Sequence, residues 1–294
     1  MQYNSIDRRT EGKTLIEQCR LTELYILDVF VEICEKYHLR YYCTSGTMLG
    51  MMRHDGHFIP WDDDIDVNMP IEDYKKFVKI APQVLPEGLL LDHKSTVPNS
   101  LIHYAKIRDR SSFFCDKNTR MPLPCGIFLD VFPIERMALP PEWLDRPLHK
   151  LCGQSSWSSD ANRHIIHATA FGMVLGAIKV LLWNMIHLLV RMTYSVLKIV
   201  CHVGWRNPPE NSPTYIREFP EDCLFPTQKK LFEGRLYEFP HDCDKWLSLF
   251  YGNWKEPPPE DKRQWHHSIV TPMQPPEAPW AKSYDFSSKN ALSH

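Results

Sequence analysis

Between Phe58 and Pro70 the chain reads Phe-Ile-Pro-Trp-Asp-Asp-Asp-Ile-Asp-Val-Asn-Met-Pro, which puts the carboxylates of Asp62, Asp63, Asp64 and Asp66 into five positions. Ile65, Val67 and Met69 are interleaved with them, so the run is no plain solvated acidic loop. Read as a strand, residues 64–67 send Asp64 and Asp66 to one face and Ile65 and Val67 to the other. Two carboxylates on one face repel each other unless a cation lies between them. Hard oxygen donors of this kind suit Mg²⁺ or Mn²⁺, the ions of phosphoryl chemistry.

Two further signals bear on that chemistry. Asp130 is a lone carboxylate inside the apolar run Gly126 to Pro133. A buried carboxylate must accept hydrogen bonds, pair with a base or bind metal, and Lys106 and Arg108, on a predicted strand over Tyr104–Arg108, are the available bases. Ser45-Gly46-Thr47 lies between a short predicted strand, Tyr41–Cys43, and the helical pattern Met48–Arg53. A glycine-containing turn at a helix start offers unpaired N–H groups to a phosphate, although the same residues also cap helices with no ligand.

The elements that must position these groups alternate between helix and strand. Leu15 to Leu39 has apolar residues at helical spacing, and Pro70 opens another helix with Tyr74, Phe77, Val78 and Ala81 as its buried stripe. Leu89–Leu91 and Gly126–Pro133 are further strands, as is Phe232–Pro240. A helix from His241 to Phe250 stops at Gly252. The histidines at 266 and 267 read as polar surface.

With 294 residues, 43% of them hydrophobic, the chain can bury a substantial core. A net charge of -2 argues against a nucleic-acid partner. Nine cysteines without a Cys-x-x-Cys pair read as reduced thiols rather than a disulfide framework or zinc site. The first residues form no apolar leader, so a cytoplasmic location is expected. Prolines crowd at 82–98, 122–147, 208–226 and 257–279, marking connections between elements.

Between Asp160 and Glu210 there is no acidic residue, and Ile165 to Val200 is strongly apolar. Projected at about 100° per residue, Lys179, His187, Arg191 and Lys198 share one arc of roughly 120°, with Gly172 and Gly176 on the same side. That polar arc argues against a bilayer-spanning helix and for a basic amphipathic one. Such a helix packs into the core, the simpler reading, or docks on an anionic membrane surface.

Tyr42-Cys43-Thr44-Ser45-Gly46-Thr47-Met48-Leu49-Gly50, Arg53-His54 and Phe58 to Asp66 together resemble the signature of the LicD family, phosphorylcholine transferases similar to the fukutin proteins. Gly126 to Ile134, Phe225-Pro226-Thr227, Phe232-Glu233-Gly234 and Tyr251-Gly252-Asn253-Trp254 extend the resemblance over roughly Leu15 to His267. It implies an α+β fold of nucleotidyltransferase type, a mixed sheet flanked by helices, with an additional helical segment. The catalytic core would occupy 15–140, the basic helical insertion 141–210, the rest of the LicD-type domain 211–270 and a tail 271–294.

The same resemblance implies that Asp64, Asp66 and Asp130 are catalytic and hold Mg²⁺ or Mn²⁺. Ser45, Gly46 and Thr47 would hold phosphate, and Arg53, Lys106 and Arg108 are phosphate donors or structural ion-pair partners. Asp62 and Asp63 would orient the loop. The implied reaction moves a phosphorylated alcohol from a CDP-activated donor to a hydroxyl of a glycan or lipid-linked glycan, releasing CMP. A nucleotidyltransferase releasing pyrophosphate and a non-catalytic scaffold are the alternatives. An EF-hand is excluded, because its sixth position would be Val67 and its twelfth Asp73.

Overall fold

The computed structural model describes residues 2–62, 64–97, 103–116, 126–156, 170–212, 214–263 and 267–272. Asp63, the histidine at 266 and the expected tail beyond 272 lie outside the described residues, as does the side chain of Lys179.

The first helix, α1 (Leu15–Tyr37), begins at a capping box: Thr14 Oγ1 accepts from the Glu17 N–H at 3.2 Å, and the Glu17 carboxylate accepts from the Thr14 N–H. It ends at His38, which takes the left-handed φ of 53° that closes helices. There follow β1 (Tyr42–Cys43), α2 (Ser45–Arg53), β2 (Ile65–Pro70), α3 (Ile71–Val84), β3 (Leu89–Asp92), β4 (Ala105–Asp109), β5 (Phe113–Asp116) and β6 (Phe128–Ala138). Then come α4 (Glu142–Ser156), α5 (Ala170–Leu197), β7 (Val203–Arg206), α6 (Glu221–Leu224), β8 (Gln228–Phe232), β9 (Arg235–Phe239), α7 (Cys243–Tyr251) and β10 (His267–Thr271).

The main sheet runs β1-β2-β6-β4-β3, with β7 also paired to β6. Its β2–β6 pair is parallel and its other pairs are antiparallel, which makes the fold α+β with a mixed sheet. Ile65 and Val67 on β2, and Leu129 and Val131 on β6, are fully buried. They belong to one core with Ile26, Phe30 and Ile33 of α1 and Phe77 and Ala81 of α3, where Phe30 and Phe77 meet edge to face at 5.1 Å.

β6 is longer than the run ending at Pro133 suggests. Its start pairs with β4 up to Val131 and its end with β7 from Glu135, and Pro133, which has no N–H to give, is in neither of those two pairings. β5, β7 and β10 are strands that the sequence patterns did not announce. β5 and β10 pair only with each other.

Residues 170–197 pack into the core along one side only, where Val190 and Tyr194 join Met137, Ala138 and Cys152. α5 turns His187, Val190 and Tyr194 inward and leaves Leu181, Leu188 and Leu189 each 60% exposed. The described members of the polar arc lie toward the protein: Arg191 pairs with Glu135 at 2.6 Å, and Lys198 reaches the same carboxylate at 3.3 Å. Among the described residues no helix is long and apolar enough to cross a membrane.

A buried ion pair joins this region to the sheet. Arg206 Nη1 of β7 donates to both carboxylate oxygens of Asp145 on α4 at 2.8 Å, and neither side chain is exposed. The hydroxyls of Tyr194 and Tyr215 donate to the same carboxylate at 2.6 and 2.7 Å. His149 lies beside Tyr215 at 5.3 Å, and burial, then Arg206, pushes its pKa from 6.5 down to about 4, with Asp145 opposing. In the unfolded chain it takes up its proton near 6.5, so the native state resists protonation in that window. Stability is therefore full above pH 6.5 and falls as pH drops toward 4, by at most about 1.4 kcal/mol per pH unit. Urea midpoints across that range should fall less steeply for His149→Gln than for the parent chain.

Candidate active site

β2 and β6 lie side by side in parallel, and their register sets Asp66 directly opposite Asp130. Alternation along each strand sends both side chains away from the α1–α3 core, together with Asn68 and Phe132 two residues on. Asp64, just before β2, completes the group: one carboxylate oxygen from each of Asp64, Asp66 and Asp130 lies within 4.8 Å of the others. Thus three of the predicted residues, 66 positions apart at the extremes, meet at one point.

The backbone of Asp66 is fixed from both sides. Its carbonyl accepts from the Thr44 N–H at 3.0 Å, and its N–H donates to Thr47 Oγ1 at 2.9 Å. Thr47 accordingly holds β2 in place, and it is not among the residues that line the cleft. Of the predicted phosphate-binding trio, Ser45 lines the cleft, with a left-handed φ of 48°. Such a backbone in a non-glycine residue persists only where its surroundings hold it. Gly46 has a different reason to be glycine, because an added Cβ would lie 2.2 Å from Asp62 Oδ2. The Asp62 carboxylate thus lies against the first turn of α2, whose dipole favours negative charge.

The basic candidates divide. Lys106 stands opposite Asp130 in the β4–β6 register, and its Nζ pairs with Asp130 Oδ1 at 2.6 Å while lying 3.5 Å from the centre of the Phe128 ring. Arg108 turns to Asp92 at 2.7 Å, and Arg53 donates to the Trp254 carbonyl at 2.9 Å. Neither arginine lines the cleft.

The cleft above the aspartates has a volume of about 250 Å³. Its far wall comes from Asn207, Asn211, Ser212 and Thr214 beyond β7, and from Trp246, Phe250 and Tyr251 on α7. Asn207 ties that wall down by donating to Asn68 Oδ1 at 3.2 Å and to the Pro133 carbonyl at 3.0 Å. Asn68 and Phe132 were legible by strand alternation from Asp66 and Asp130. Asn207 and Asn211 have no local sequence signal. Phe219, which precedes α6, and Trp246 and Phe250 of α7 form a nearly parallel stack, with ring centres 5.1 and 4.9 Å apart, whose last member reaches the cleft.

The Phe-Glu-Gly segment braces the acidic loop, whereas Tyr-Gly-Asn-Trp meets the end of α2, where the Trp254 carbonyl accepts from Arg53. Glu233, in the β8–β9 turn, accepts from the Phe58 N–H at 2.8 Å, and Phe58 meets Phe232 at 5.1 Å. Arg20 Nη2 donates to the Ile59 carbonyl at 2.8 Å. The loop is therefore set by α1, the β8–β9 turn and α2 together.

Burial raises the pKa of Asp66 well above the usual carboxylate range, and Asp64, Asp130 and Asp62 push it further, with Lys106 opposing. Burial lowers that of Lys106, opposed by Asp130. The Tyr251 hydroxyl is also raised, by desolvation and then by Asp66, Asp62 and Asp64, so it remains a proton donor at neutral pH. Three converging carboxylates with one lysine in contact leave negative charge at the cleft floor, a donor set that fits a hard divalent cation such as Mg²⁺ or Mn²⁺.

A parallel strand pair bearing three converging aspartates, capped by a short helix whose first turn faces them, defines a nucleotidyltransferase-type catalytic domain. Residues 38–137 match the family model described as LicD/FKTN/FKRP, nucleotidyltransferase domain. The chain is 28% identical over 272 residues to the lipopolysaccharide cholinephosphotransferase LicD of Haemophilus influenzae, covering 86% of this chain and 96% of that protein. Shorter matches, to uncharacterised proteins of two Rickettsia species, are 42% identical over 94 residues (R. prowazekii, 32% of this chain and 35% of that protein) and 40% over 62 (R. typhi, 21% and 20%).

Proposed function

We propose that the chain is a LicD-type phosphotransferase, moving a phosphorylated alcohol from a CDP-activated donor to a hydroxyl of a cell-surface glycan or its lipid-linked precursor. The observation that carries this reading is the convergence of Asp64, Asp66 and Asp130 within 4.8 Å beneath a cleft wide enough for a diphosphate. The similarity to the Haemophilus cholinephosphotransferase over nearly the whole of both chains supports it.

In this reading the acceptor oxygen forms a bond to the β-phosphorus, the bond from that phosphorus to the CMP oxygen breaks, and CMP leaves. A divalent ion held by the three aspartates would neutralise charge on the transferred group. The chain's own residues do the rest. Ser45 at the start of α2 presents its N–H to a phosphate oxygen. Lys106 fixes the Asp130 carboxylate, which receives the proton of the attacking hydroxyl. Thr47 and Thr44 hold Asp66 in place. The exposed end of the aromatic stack, at Phe250, offers a flat π face to a pyrimidine base or a quaternary ammonium group.

The test is the product. With CDP-choline or CDP-ribitol, Mg²⁺ and a glycan acceptor, the protein should release CMP and label the glycan. Pyrophosphate released from a nucleoside triphosphate would instead make it a nucleotidyltransferase, and no turnover of any donor would leave a scaffold.

A further inference from the structure

α5 is amphipathic in the inverted sense. His187, Val190 and Tyr194 face the protein, and Arg191 and Lys198 are held by Glu135 at one edge. Outward point Val174, Leu181, Met185, Leu188, Met192 and Val196, each more than half exposed. At about 100° per residue these fall within an arc of roughly 80°, and Ile178, Leu182, Leu189, Ile199 and Val200 widen it to about 120°. From Val174 to Val196 the stripe is about 33 Å long at 1.5 Å per residue. A contiguous apolar surface of that size marks an interaction site.

Three features identify what covers it. The arc is broader than the a/d seam that one helix buries against another, so a helix from a second copy would leave part of it wet. Its side chains offer no hydrogen-bonding group, whereas protein interfaces carry about one hydrogen bond per 100–200 Å². A hydrocarbon phase demands none. Finally, residues 161–209 contain no Asp or Glu. Nothing on this segment would repel anionic headgroups.

We infer that α5 lies in the plane of a lipid bilayer surface with this stripe buried among the acyl chains, a monotopic attachment driven by apolar burial rather than by Arg191 and Lys198, which are paired with Glu135. The inner side of the same helix adjoins the cleft wall: Glu210, which approaches Arg191 of α5 at 3.7 Å, directly precedes the wall residue Asn211. A membrane-borne acceptor would thus be met by the side of the molecule that adjoins the site. The attachment itself does not depend on the proposed reaction.

The test is flotation of the full chain with liposomes of phosphatidylcholine alone and of phosphatidylcholine with phosphatidylglycerol, at low salt and at about 1 M salt, where the Debye length is about 3 Å. Binding should persist at high salt and on the neutral vesicles. The triple variant Leu181→Ser, Leu188→Ser, Leu189→Ser should lose at least about 100-fold in partitioning, with its circular dichroism and its CMP release toward a soluble acceptor retained. Leu181→Ala, Leu188→Ala, Leu189→Ala gives a smaller loss in the same direction should the serine variant misfold. Failure of the parent chain to float, equal flotation of the variants, or loss of flotation at high salt would each overturn the inference. So would a stable dimer in light scattering that the same substitutions dissolve, and none of these outcomes bears on whether CMP is formed.

Discussion

Asp66→Asn yields a folded protein whose CMP release falls at least about 10³-fold, because the substitution removes the central donor of the carboxylate trio and with it the stabilisation of charge on the transferred phosphoryl group. The fold survives for a specific reason. Both anchors of residue 66 are to its backbone, the N–H to Thr47 and the carbonyl from Thr44, and asparagine keeps both. Removing a carboxylate that burial and three acidic neighbours already disfavour also relieves repulsion. A thermal melt in chelator should therefore show the variant at least as stable as the parent chain. Steady-state assays with Mg²⁺ and the CDP-activated donor, run beside that melt, separate a chemical defect from an unfolded one. Undiminished turnover in a folded Asp66→Asn protein would falsify the three-carboxylate site.

Asp145→Ala has its largest effect on stability, with a loss of about 3–5 kcal/mol. Arg206 has no exposed surface and lies between the rings of Tyr194 and Tyr215, 5.6 Å from each centre, so without Asp145 its charge stays buried with its principal partner gone. The two tyrosine hydroxyls lose their acceptor in the same step. Measured against a total stability of about 5–15 kcal/mol, this is a large share, and poor accumulation or a sharply lowered urea midpoint is the expected result. The pair Asp145→Leu, Arg206→Met should recover much of the loss, since replacing both partners leaves no buried charge. A single-site loss below about 1 kcal/mol would show that solvent reaches the guanidinium.

The three aspartates that converge in the cleft were legible because their signals are local. Period-two alternation separated Asp64 and Asp66 from Ile65 and Val67, and a lone aspartate in an apolar run had to have a purpose. Lys106 and Arg108, equal candidates for Asp130 in the sequence, were divided by register: Lys106 stands opposite Asp130 and Arg108 turns to Asp92. No window of sequence holds that information, because it depends on how β4 meets β6. The far wall is hidden for the same reason, since Asn207 and Asn211 come after α5 and reach the cleft only when β7 closes on β6. α5 misled in another way. Periodicity identified its two faces but could not say which one meets the protein, and Arg191 of the basic side is drawn in by Glu135 and Glu210.

That β7 follows α5 in the chain yet lies against β6 has a bearing on how the protein is made. At about 5–20 residues per second a ribosome delivers the aspartates first, the apolar helix next, and the asparagine and aromatic walls of the cleft only afterwards. A chain synthesised only as far as residue 200 carries the aspartates and the apolar helix but lacks Asn207, Asn211, Trp246 and Phe250, so on the proposed attachment the helix that seeks the bilayer is made before the cleft can enclose a substrate.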